Sequence, residues 1–243
     1  MERLVQSVLQ RLLGFDRYLY VFSRFKIRAL RWDKNEADVL EFVRRIPTDG
    51  VALDIGANIG IMTALMSQRV SSGRVHAFEP IPENFSALTR IVRRMRLDNV
   101  VLHNVALGQE AGELRMVMPE EHNVRMQGLS HAVDPDGPVV EDGVLYTVPV
   151  RRLDDEAFLH GVHVDAIKID VENFEERVFR GGTALLERCR PLVYAELWDN
   201  DVRRGCFELF GGLGYQVKVF DGTTLVPFDP DHHTQHNFFL CPP

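Results

Sequence analysis

Short apolar runs alternate with amphipathic segments from residue 50 to the end of the chain. The apolar runs predict strands at 51–55, 74–79, 99–104, 165–170, 191–196, 215–220 and 236–241. The helical period between them predicts helices at 59–70, 83–96, 174–187 and 201–212. Strands that alternate with helices are typical of a parallel sheet covered on both faces. We therefore expect an α/β fold with a doubly wound, seven-stranded sheet.

The first 46 residues follow a different pattern. Apolar residues recur there at helical spacing, and residues 47–50 (PTDG) break the chain before the first strand. Residues 1–31 also carry seven Lys/Arg against two acids, among several aromatic residues. Such helices either pack over the sheet and the mouth of its binding site, or rest on an anionic membrane or a partner. We predict a helical extension at residues 1–49 and a single α/β domain at residues 50–243.

The segment 105–164 is too long for a plain connection between elements. Alternating runs at 113–118 and 145–150 predict a β-hairpin, and a stretch rich in glycine, proline and aspartate lies between them at 128–143. An insertion at the strand ends is well placed to hold a substrate. We therefore expect residues 105–164 to lie on the substrate side.

Composition and charge narrow the function classes. The chain has 243 residues and a formal charge of −7, which does not favour a nucleic-acid binder, because such proteins usually carry a basic face. Its three cysteines show no C-x-x-C spacing, which favours a reduced compartment. The sequence has neither an apolar run long enough to span a bilayer nor a signal-peptide pattern. We expect a cytoplasmic protein.

A glycine-containing turn follows the first strand, and an acid ends the second. Residues 54–60 read DIGANIG, and Glu79 closes the strand that follows. Glycine allows a ligand to approach the backbone, and a carboxylate one βαβ unit later suits the hydroxyls of a ribose. A dinucleotide fingerprint would need glycines at Asn58 and Ile61, so a nicotinamide-dependent oxidoreductase is disfavoured. A turn that needs small residues for packing alone is the structural alternative.

Five segments in order carry a resemblance to a known family. They are 54–60 (DIGANIG), 77–84 (AFEPIPEN), 104–108 (NVALG), 148–155 (VPVRRLDD) and 167–172 (IKIDVE). Together they resemble the FkbM family of methyltransferases over about residues 50–200. The resemblance implies the Rossmann-like fold of class I methyltransferases, with S-adenosylmethionine as cofactor. It also implies O-methylation of a hydroxyl on a small-molecule or saccharide acceptor, such as a sugar, a polysaccharide or a polyketide-type natural product.

The resemblance also indicates which residues hold the cofactor. The turn would form the floor under the methionine part, Asp54 would lie near the ammonium group, and Glu79 would take the ribose hydroxyls. Residues 80–81 would pack on the adenine face and residues 104–106 on its edge, although Asn104 is equally well explained as a turn cap. The expected cofactor contacts are Asp54, Gly56, Ala57, Asn58, Gly60, Glu79, Pro80, Ile81, Asn104, Val105 and Ala106.

Three acids at strand ends are the candidate catalytic residues, namely Asp170, Glu172 and Glu196. Methyl transfer needs an aligned acceptor oxygen, and a carboxylate can take the proton that the hydroxyl loses. The structural alternative is a helix cap for Asp170 and a first-turn acid for Glu172. Asp170 and Glu196 could also bind Mg²⁺, but an octahedral site needs more oxygen ligands than the sequence offers there, so a metal is not favoured.

The chain departs from the family pattern after residue 172. Asn173 and Phe174 stand where the family usually has glycine and alanine. We expect the larger side chains to narrow the mouth beside the cofactor and to change the acceptor, while the donor site stays unaffected. The same departure motivates a second hypothesis, an inactive cofactor-binding module that acts through a partner or a membrane surface. N-methylation is the alternative within the same class.

Overall fold

A mixed sheet of eight strands forms the centre of the molecule. The computed structural model describes residues 2–30, 33, 36–121, 124–133 and 143–243. The strands of this sheet are β1 (Val51–Ile55), β2 (Arg74–Phe78), β3 (Val100–His103), β9 (Ala166–Ile169), β10 (Leu192–Glu196), β11 (Gln216–Phe220), β12 (Leu225–Pro227) and β13 (Asn237–Cys241). All seven predicted strands are present, and the short strand β12 adds an eighth at one edge.

The order of the strands places a cleft at the carboxyl ends of the central pair. The order is β12-β11-β13-β10-β9-β1-β2-β3. Strand β13 is antiparallel to both of its neighbours. The five adjacent strands β10, β9, β1, β2 and β3 are parallel to one another. From β1 the chain builds the sheet outward in one direction, and from β9 in the other. Ligands of open α/β sheets bind at such a reversal of strand order, outside the carboxyl ends.

Helices cover both faces of the sheet. They are α4 (Ile61–Arg69), α5 (Pro82–Met95), α6 (Glu175–Arg180), α7 (Thr183–Cys189) and α8 (Asp201–Gly212). The side chains of α6, α7 and α8 pack on one face of the sheet in a large apolar cluster that includes Phe179 and Phe210. Alternate residues of the same strands face the other way, towards α4, since successive side chains of a strand point to opposite faces.

The prediction of one helix at 174–187 was wrong, because Gly181 and Gly182 separate α6 from α7. A Cβ at Gly181 would lie 2.0 Å from the carbonyl oxygen of Gly108, so the backbone at residue 108 leaves no room for a larger residue. Asp154 then caps the second helix, since its carboxylate accepts hydrogen bonds from the backbone N–H groups of residues 184 and 185 at 3.1 and 2.9 Å.

The N-terminal extension contains α1 (Glu2–Leu13), α2 (Phe15–Ala29) and α3 (Ala37–Arg45). Helix α2 packs on α4 and α5, and the Ser23 hydroxyl donates to the carbonyl of Ile59 at 2.8 Å. Helix α3 is held by Asp38, which accepts hydrogen bonds from Tyr194 and Asn237, both at 2.9 Å. The extension thus packs as helices over the sheet. Among the described helices, none combines the length and apolar character needed to cross a membrane.

The insertion forms a second sheet beside the cleft. Its strands are β4 (Ala106–Leu107), β5 (Gly112–Glu121), β6 (Val124–Arg125), β7 (His131–Ala132) and β8 (Gly143–Arg151). Strands β5 and β8 pair antiparallel over eight positions, so the predicted hairpin is confirmed. Its buried side chains, among them Met116 and Met118, pack against Ile81. The predicted polar stretch at 128–143 lies partly outside the described residues.

Candidate active site

Three hollows meet at Gly56, above the carboxyl ends of β1 and β9. The largest, which we call the main cleft, has a volume of about 300 Å³ and is lined by residues 56–59, by the ends of β9 and β10, and by α2. The Glu79 hollow lies between the turn and the start of α5. The apolar hollow lies between Pro80, the ends of β1 and β2, and the insertion. The turn therefore faces open space, as the predicted cofactor floor requires.

The conformation of the turn explains its glycines. Gly56 and Gly60 have φ of 74° and 85°, and Asn58, which tolerates this region, has φ of 49°. A Cβ at Gly56 would also lie 1.9 Å from the carbonyl oxygen of Asp170, and one at Gly60 would lie 2.8 Å from Leu88. Packing thus demands glycine at Gly56, and the positive φ favours it at Gly60, as the structural alternative proposed. The turn nevertheless lines all three hollows.

Glu79 is buried and linked to both walls of its hollow. One carboxylate oxygen accepts the backbone N–H of Asn58 at 2.8 Å, and the other accepts the N–H of Ile81 at 2.9 Å. Burial raises the pKa of Glu79 to about 7, although these N–H groups favour the charged form. Each carboxylate oxygen can accept two hydrogen bonds, so Oε2 keeps a free acceptor position.

Two amide oxygens beside Glu79 lack donors. Asn84 donates its amide to Glu79 at 3.4 Å, but within the described residues neither Asn84 Oδ1 nor Asn58 Oδ1 has a hydrogen-bond partner. Unpaired buried acceptors of this kind are rare and costly, so both oxygens are free to accept from a ligand or an ordered water. Asn58 was among the predicted residues. Asn84 was missed, although it ends the AFEPIPEN segment.

The remaining predicted nucleoside residues lie around the two smaller hollows. Asn104 braces the bend after β2, since its amide donates to the carbonyls of Glu79 and Pro80 at 2.8 and 3.1 Å. It therefore behaves as a turn cap. Pro80 lines both smaller hollows, and Val105 and Ala106 line the apolar one. Ile81 is fully buried at the Glu79 hollow.

A buried lysine that the prediction missed lies under the turn. Lys168 Nζ donates to the carbonyl of Gly56 at 3.0 Å and lies 3.6 Å from Asp170 Oδ2 and 3.8 Å from Asp54 Oδ1. Burial opposes its charge, but Asp170 and Asp54 outweigh this and raise the pKa of Lys168. Lys168 belongs to the IKIDVE segment, and a lysine inside an otherwise apolar strand was the signal for it.

Asp54 lies behind the turn and not among the residues that line the three hollows. Its side chain is fully buried, accepts a hydrogen bond from Thr63 at 2.5 Å and pairs with Lys168. Burial raises the pKa of Asp54. Asp54 thus supports Lys168 from behind the turn, and its predicted position close to the cofactor ammonium or its waters stays a prediction.

The three predicted catalytic acids lie close enough to influence one another. Burial, followed by the charges of Asp170 and Glu196, raises the pKa of Glu172 to about 7. Burial and the charge of Asp170 also raise the pKa of Glu196. Helix α6 begins only at Glu175 and has no side-chain cap, so neither Asp170 nor Glu172 caps it. Asp170 lines both the main cleft and the Glu79 hollow, and Glu196 lines the main cleft.

The departure from the family pattern acts on a different hollow from the one expected. Glu172 and Asn173 are left-handed, with φ of 52° and 68°, and the Asn173 side chain accepts a hydrogen bond from Asn200. Phe174 lies against Gly108, and its ring lines the apolar hollow with Val105, not the main cleft. The ring therefore borders the predicted adenine side. The expectation that it narrows the acceptor mouth and leaves the donor site unaffected does not match this geometry.

Two segments outside the sheet complete the walls. The insertion supplies Met116 to both smaller hollows, and residues 127–128 to the main cleft and the Glu79 hollow. Helix α2 supplies Phe22 and Lys26 to the main cleft, and Leu30, directly after the helix, also lines it. A pair of hydrogen bonds at 3.2 Å between the Gln10 side chain and the backbone of Arg125 joins α1 to the insertion. Sequence alone did not connect these segments, because their contacts are long-range.

In the part of the chain that the structure describes, no group of three His, Cys, Asp or Glu side chains converges to hold a metal ion. Asp170 and Glu196 instead have Lys168 as a cationic neighbour. These residues do not fit a Mg²⁺ site, since the ion prefers a near-octahedral set of oxygen ligands.

Comparisons with known proteins agree with this geometry. Residues 54–224 match the model of the methyltransferase FkbM domain. The chain is 31% identical over 204 residues to the 31-O-demethyl-FK506 methyltransferase FkbM of Streptomyces tacrolimicus, covering 72% of this chain and 78% of that protein. It is 30% identical over 153 residues to Methyltransferase 1 of Beauveria bassiana (strain ARSEF 2860), covering 57% of this chain. The match spans about three fifths (61%) of that relative's length.

A solved structure shows the same fold. The crystal structure of the methyltransferase FkbM from Methylobacillus flagellatus KT superposes with a TM-score of 0.52 at 16% identity, over 81% of this chain and 44% of that one. The expected class I, Rossmann-like fold is thereby confirmed. Since the family model matches well over half of the residues, the chain belongs to the FkbM family of S-adenosylmethionine-dependent methyltransferases.

Proposed function

We propose that this protein transfers the methyl group of S-adenosylmethionine to a hydroxyl of a small-molecule or saccharide acceptor. The observation that carries the proposal is the meeting of three hollows at Gly56, one of them containing the buried carboxylate of Glu79. Ribose hydroxyls would donate to this carboxylate in charge-assisted bonds worth about 1.5–3 kcal/mol each. The unpaired oxygens of Asn58 and Asn84 accept from the same kind of donor.

The adenine base would enter the apolar hollow between Pro80, Val105 and Ala106. The Glu79 hollow and the apolar hollow hold only about 50 and 30 Å³, less than a nucleoside needs. Met116 lines both, and its flexible side chain can move aside more easily than a branched one. The base would thus enter by displacing a side chain of the insertion, which gives this segment a role on the donor side as well.

The methionine end of the cofactor would lie over the turn at the start of α4. The first N–H groups of this helix have no intrahelical partners and carry partial positive charge, which suits a carboxylate. Ile61 and Met62, in the first turn of α4, line the main cleft. The ammonium and sulfonium groups would lie near the carboxylate of Asp170. Lys168 Nζ lies 3.6 Å from Oδ2 of this carboxylate and keeps it in place.

When bound, S-adenosylmethionine supplies an electrophilic methyl group on a sulfonium sulfur. The acids Asp170, Glu172 and Glu196 would orient the acceptor hydroxyl and take its proton, as the oxygen–carbon bond forms and the carbon–sulfur bond breaks. A pKa of about 7 for Glu172 suits a general base at neutral pH. Asp170, paired with Lys168, would mainly hold the acceptor in line.

An oxygen acceptor is favoured by the relative from Streptomyces tacrolimicus, which is named as a methyltransferase of 31-O-demethyl-FK506. We extend this chemistry to a hydroxyl of a sugar, a polysaccharide or a polyketide-type compound. N-methylation would need less help from the acids, because an amine can attack without losing its proton first. The inactive-module hypothesis is weakened by the position of Phe174, which borders the apolar hollow and leaves the main cleft open.

Calorimetry with S-adenosylhomocysteine tests the donor assignment, and we expect binding, with none for NAD. No binding at millimolar concentration would refute the assignment. Transfer of a labelled methyl group to a panel of sugars, polysaccharides and polyketides then tests the acceptor class. We expect Glu172→Gln to lower the rate about 10²–10⁴-fold. Glu172 also lines the Glu79 hollow, so S-adenosylhomocysteine affinity is measured alongside the rate to separate lost donor binding from lost chemistry.

The matched control for this variant is Asp165→Asn. The Asp165 carboxylate accepts a hydrogen bond from the N–H of Val51, at the amino ends of the central strands. This substitution therefore neutralises an acid at the end of the sheet that is far from the cleft. An undiminished rate in the Glu172 variant would exclude its role as a base and would favour an amine acceptor.

A further inference from the structure

The outer face of α2 is both apolar and basic. Arg17, Val21, Phe25 and Arg28 follow one another at intervals of four, four and three residues, so they share one side of the helix. All four are exposed, and Val21 and Phe25 expose 50% and 65% of their surface. Asp16 is the only acid in this helix, and Arg90 of α5 neutralises it.

Helix α1 carries a second pair of exposed apolar side chains. Val8 and Leu12 lie one helical turn apart, and Leu12 exposes 76% of its surface. Arg11 between them is also exposed. Helices α1 and α2 are consecutive and pack against each other, so the two apolar pairs belong to neighbouring helices.

Helix α5 adds a basic border on the other side of α2. Arg90 contacts Asp16 and lies over the ring of Tyr20, so this face of α5 adjoins α2. Arg94 lies one turn further along the same face, and Arg93, Arg94 and Arg96 are exposed. Residues 8–29 and 90–96 together carry nine Lys/Arg against one acid, in a chain of formal charge −7. The fold thus gathers two basic segments that are far apart in sequence. We call the exposed residues of α1, α2 and α5 the N-terminal surface.

We propose that the N-terminal surface binds an anionic lipid bilayer, with α2 lying in the plane of the interface. Exposed aliphatic and aromatic side chains flanked by arginines are the pattern of interfacial helices, and anionic headgroups attract the arginines. A nucleic-acid backbone would pair with the arginines but would leave Val21 and Phe25 without an apolar partner. Self-association would bring the arginines of one copy against those of another, which is repulsive. The proposal does not depend on the methyl-transfer assignment.

The test is flotation or co-sedimentation of the full chain with vesicles of phosphatidylcholine, alone or mixed with phosphatidylserine. We expect binding to the mixed vesicles, weakening as salt is added, and little binding to phosphatidylcholine alone. Val21→Glu with Phe25→Glu should abolish binding. The matched control is Leu129→Glu with Leu145→Glu, which places the same charges on two residues of the insertion that expose 45% and 48% of their surface, and it should leave binding unchanged.

Arg93→Ser and Arg94→Ser test the contribution of α5, and each should weaken binding about fivefold. Equal binding of the Val21/Phe25 variant and the parent to mixed vesicles would overturn the proposal. So would binding to single-stranded RNA without binding to vesicles, or a dimer in light scattering that the same substitutions disrupt. Circular dichroism and S-adenosylhomocysteine binding by the variants separate a lost surface from a lost fold.

Discussion

The pH dependence of donor binding is the most direct test of the role of Glu79. Its carboxylate is buried, and its pKa is raised to about 7 in the free protein. Only the charged form offers strong acceptors to the ribose hydroxyls, so protonation competes with the ligand. Affinity should be greatest above pH 7 and should fall as the pH drops through this value.

The magnitude follows from the fraction of protein that carries the charged form. At pH 6, one unit below the pKa, about nine tenths of the Glu79 side chains are neutral. The apparent dissociation constant for S-adenosylhomocysteine should therefore rise about tenfold between pH 8 and pH 6. The ligand's own amino and carboxyl groups titrate outside this interval, so the change reports on the protein.

Isothermal calorimetry with S-adenosylhomocysteine at several pH values measures this change. Comparing Glu79→Gln with the control Glu175→Gln shows whether Glu79 causes it. Burial also raises the pKa of Glu175 to about 7. Glu175 is not among the described residues that line the three hollows, so it serves as the control. We expect weak, pH-independent binding by Glu79→Gln and a preserved pH dependence in Glu175→Gln. A Glu79→Gln variant that keeps the parent's pH dependence would refute the assignment. Constant affinity of the parent from pH 6 to 8 would do the same.

Three further predictions concern stability. Gly56→Ala should lower the free energy of unfolding by about 2 kcal/mol or more, because Gly56 has a positive φ and the new Cβ would lie 1.9 Å from a carbonyl oxygen. Chemical unfolding measures this change. The control Gly211→Ala, which has open space around it, should not be destabilised. Asp154→Ala should cost about 1 kcal/mol, since it removes the cap of α7; an unchanged melting temperature would contradict this. Burial lowers the pKa of His76 to about 4, so its folded form stays neutral while the unfolded chain takes up a proton below about pH 6.5. The parent should therefore lose stability relative to His76→Phe as pH falls from 6.5 to 4, and a constant difference would disprove the linkage.

Much of the fold could be predicted because its signals are local. The period of apolar residues defines each strand of the main sheet except the short edge strand β12, and the PTDG break separates the extension. The single helix predicted at 174–187 failed for a long-range reason. Its apolar spacing continues through Gly181, and only the approach of Gly108, more than 70 residues earlier, forces the break.

The site was predictable to the extent that it depends on strand ends. Glu79, Asp170 and Glu196 follow buried strands, so the sheet itself brings them to one edge. Lys168 and Phe174 were different, since their directions depend on partners from other elements. Lys168 is fixed by the carbonyl of the turn and by two carboxylates, and Phe174 by Gly108. No period in the sequence encodes such pairings.

The walls of the main cleft come from two parts of the chain, one inside and one outside the region that matches the family model. The region that matches the family model begins at residue 54, whereas Phe22, Lys26 and Leu30 precede it. We propose that the acceptor binds in the main cleft, so we expect substitutions in α2 to change the acceptor without disturbing the glycine turn or the Glu79 hollow. Acceptor preference is in this sense separable from methyl supply: exchanging the first 49 residues between relatives should transfer selectivity while leaving the donor chemistry in place.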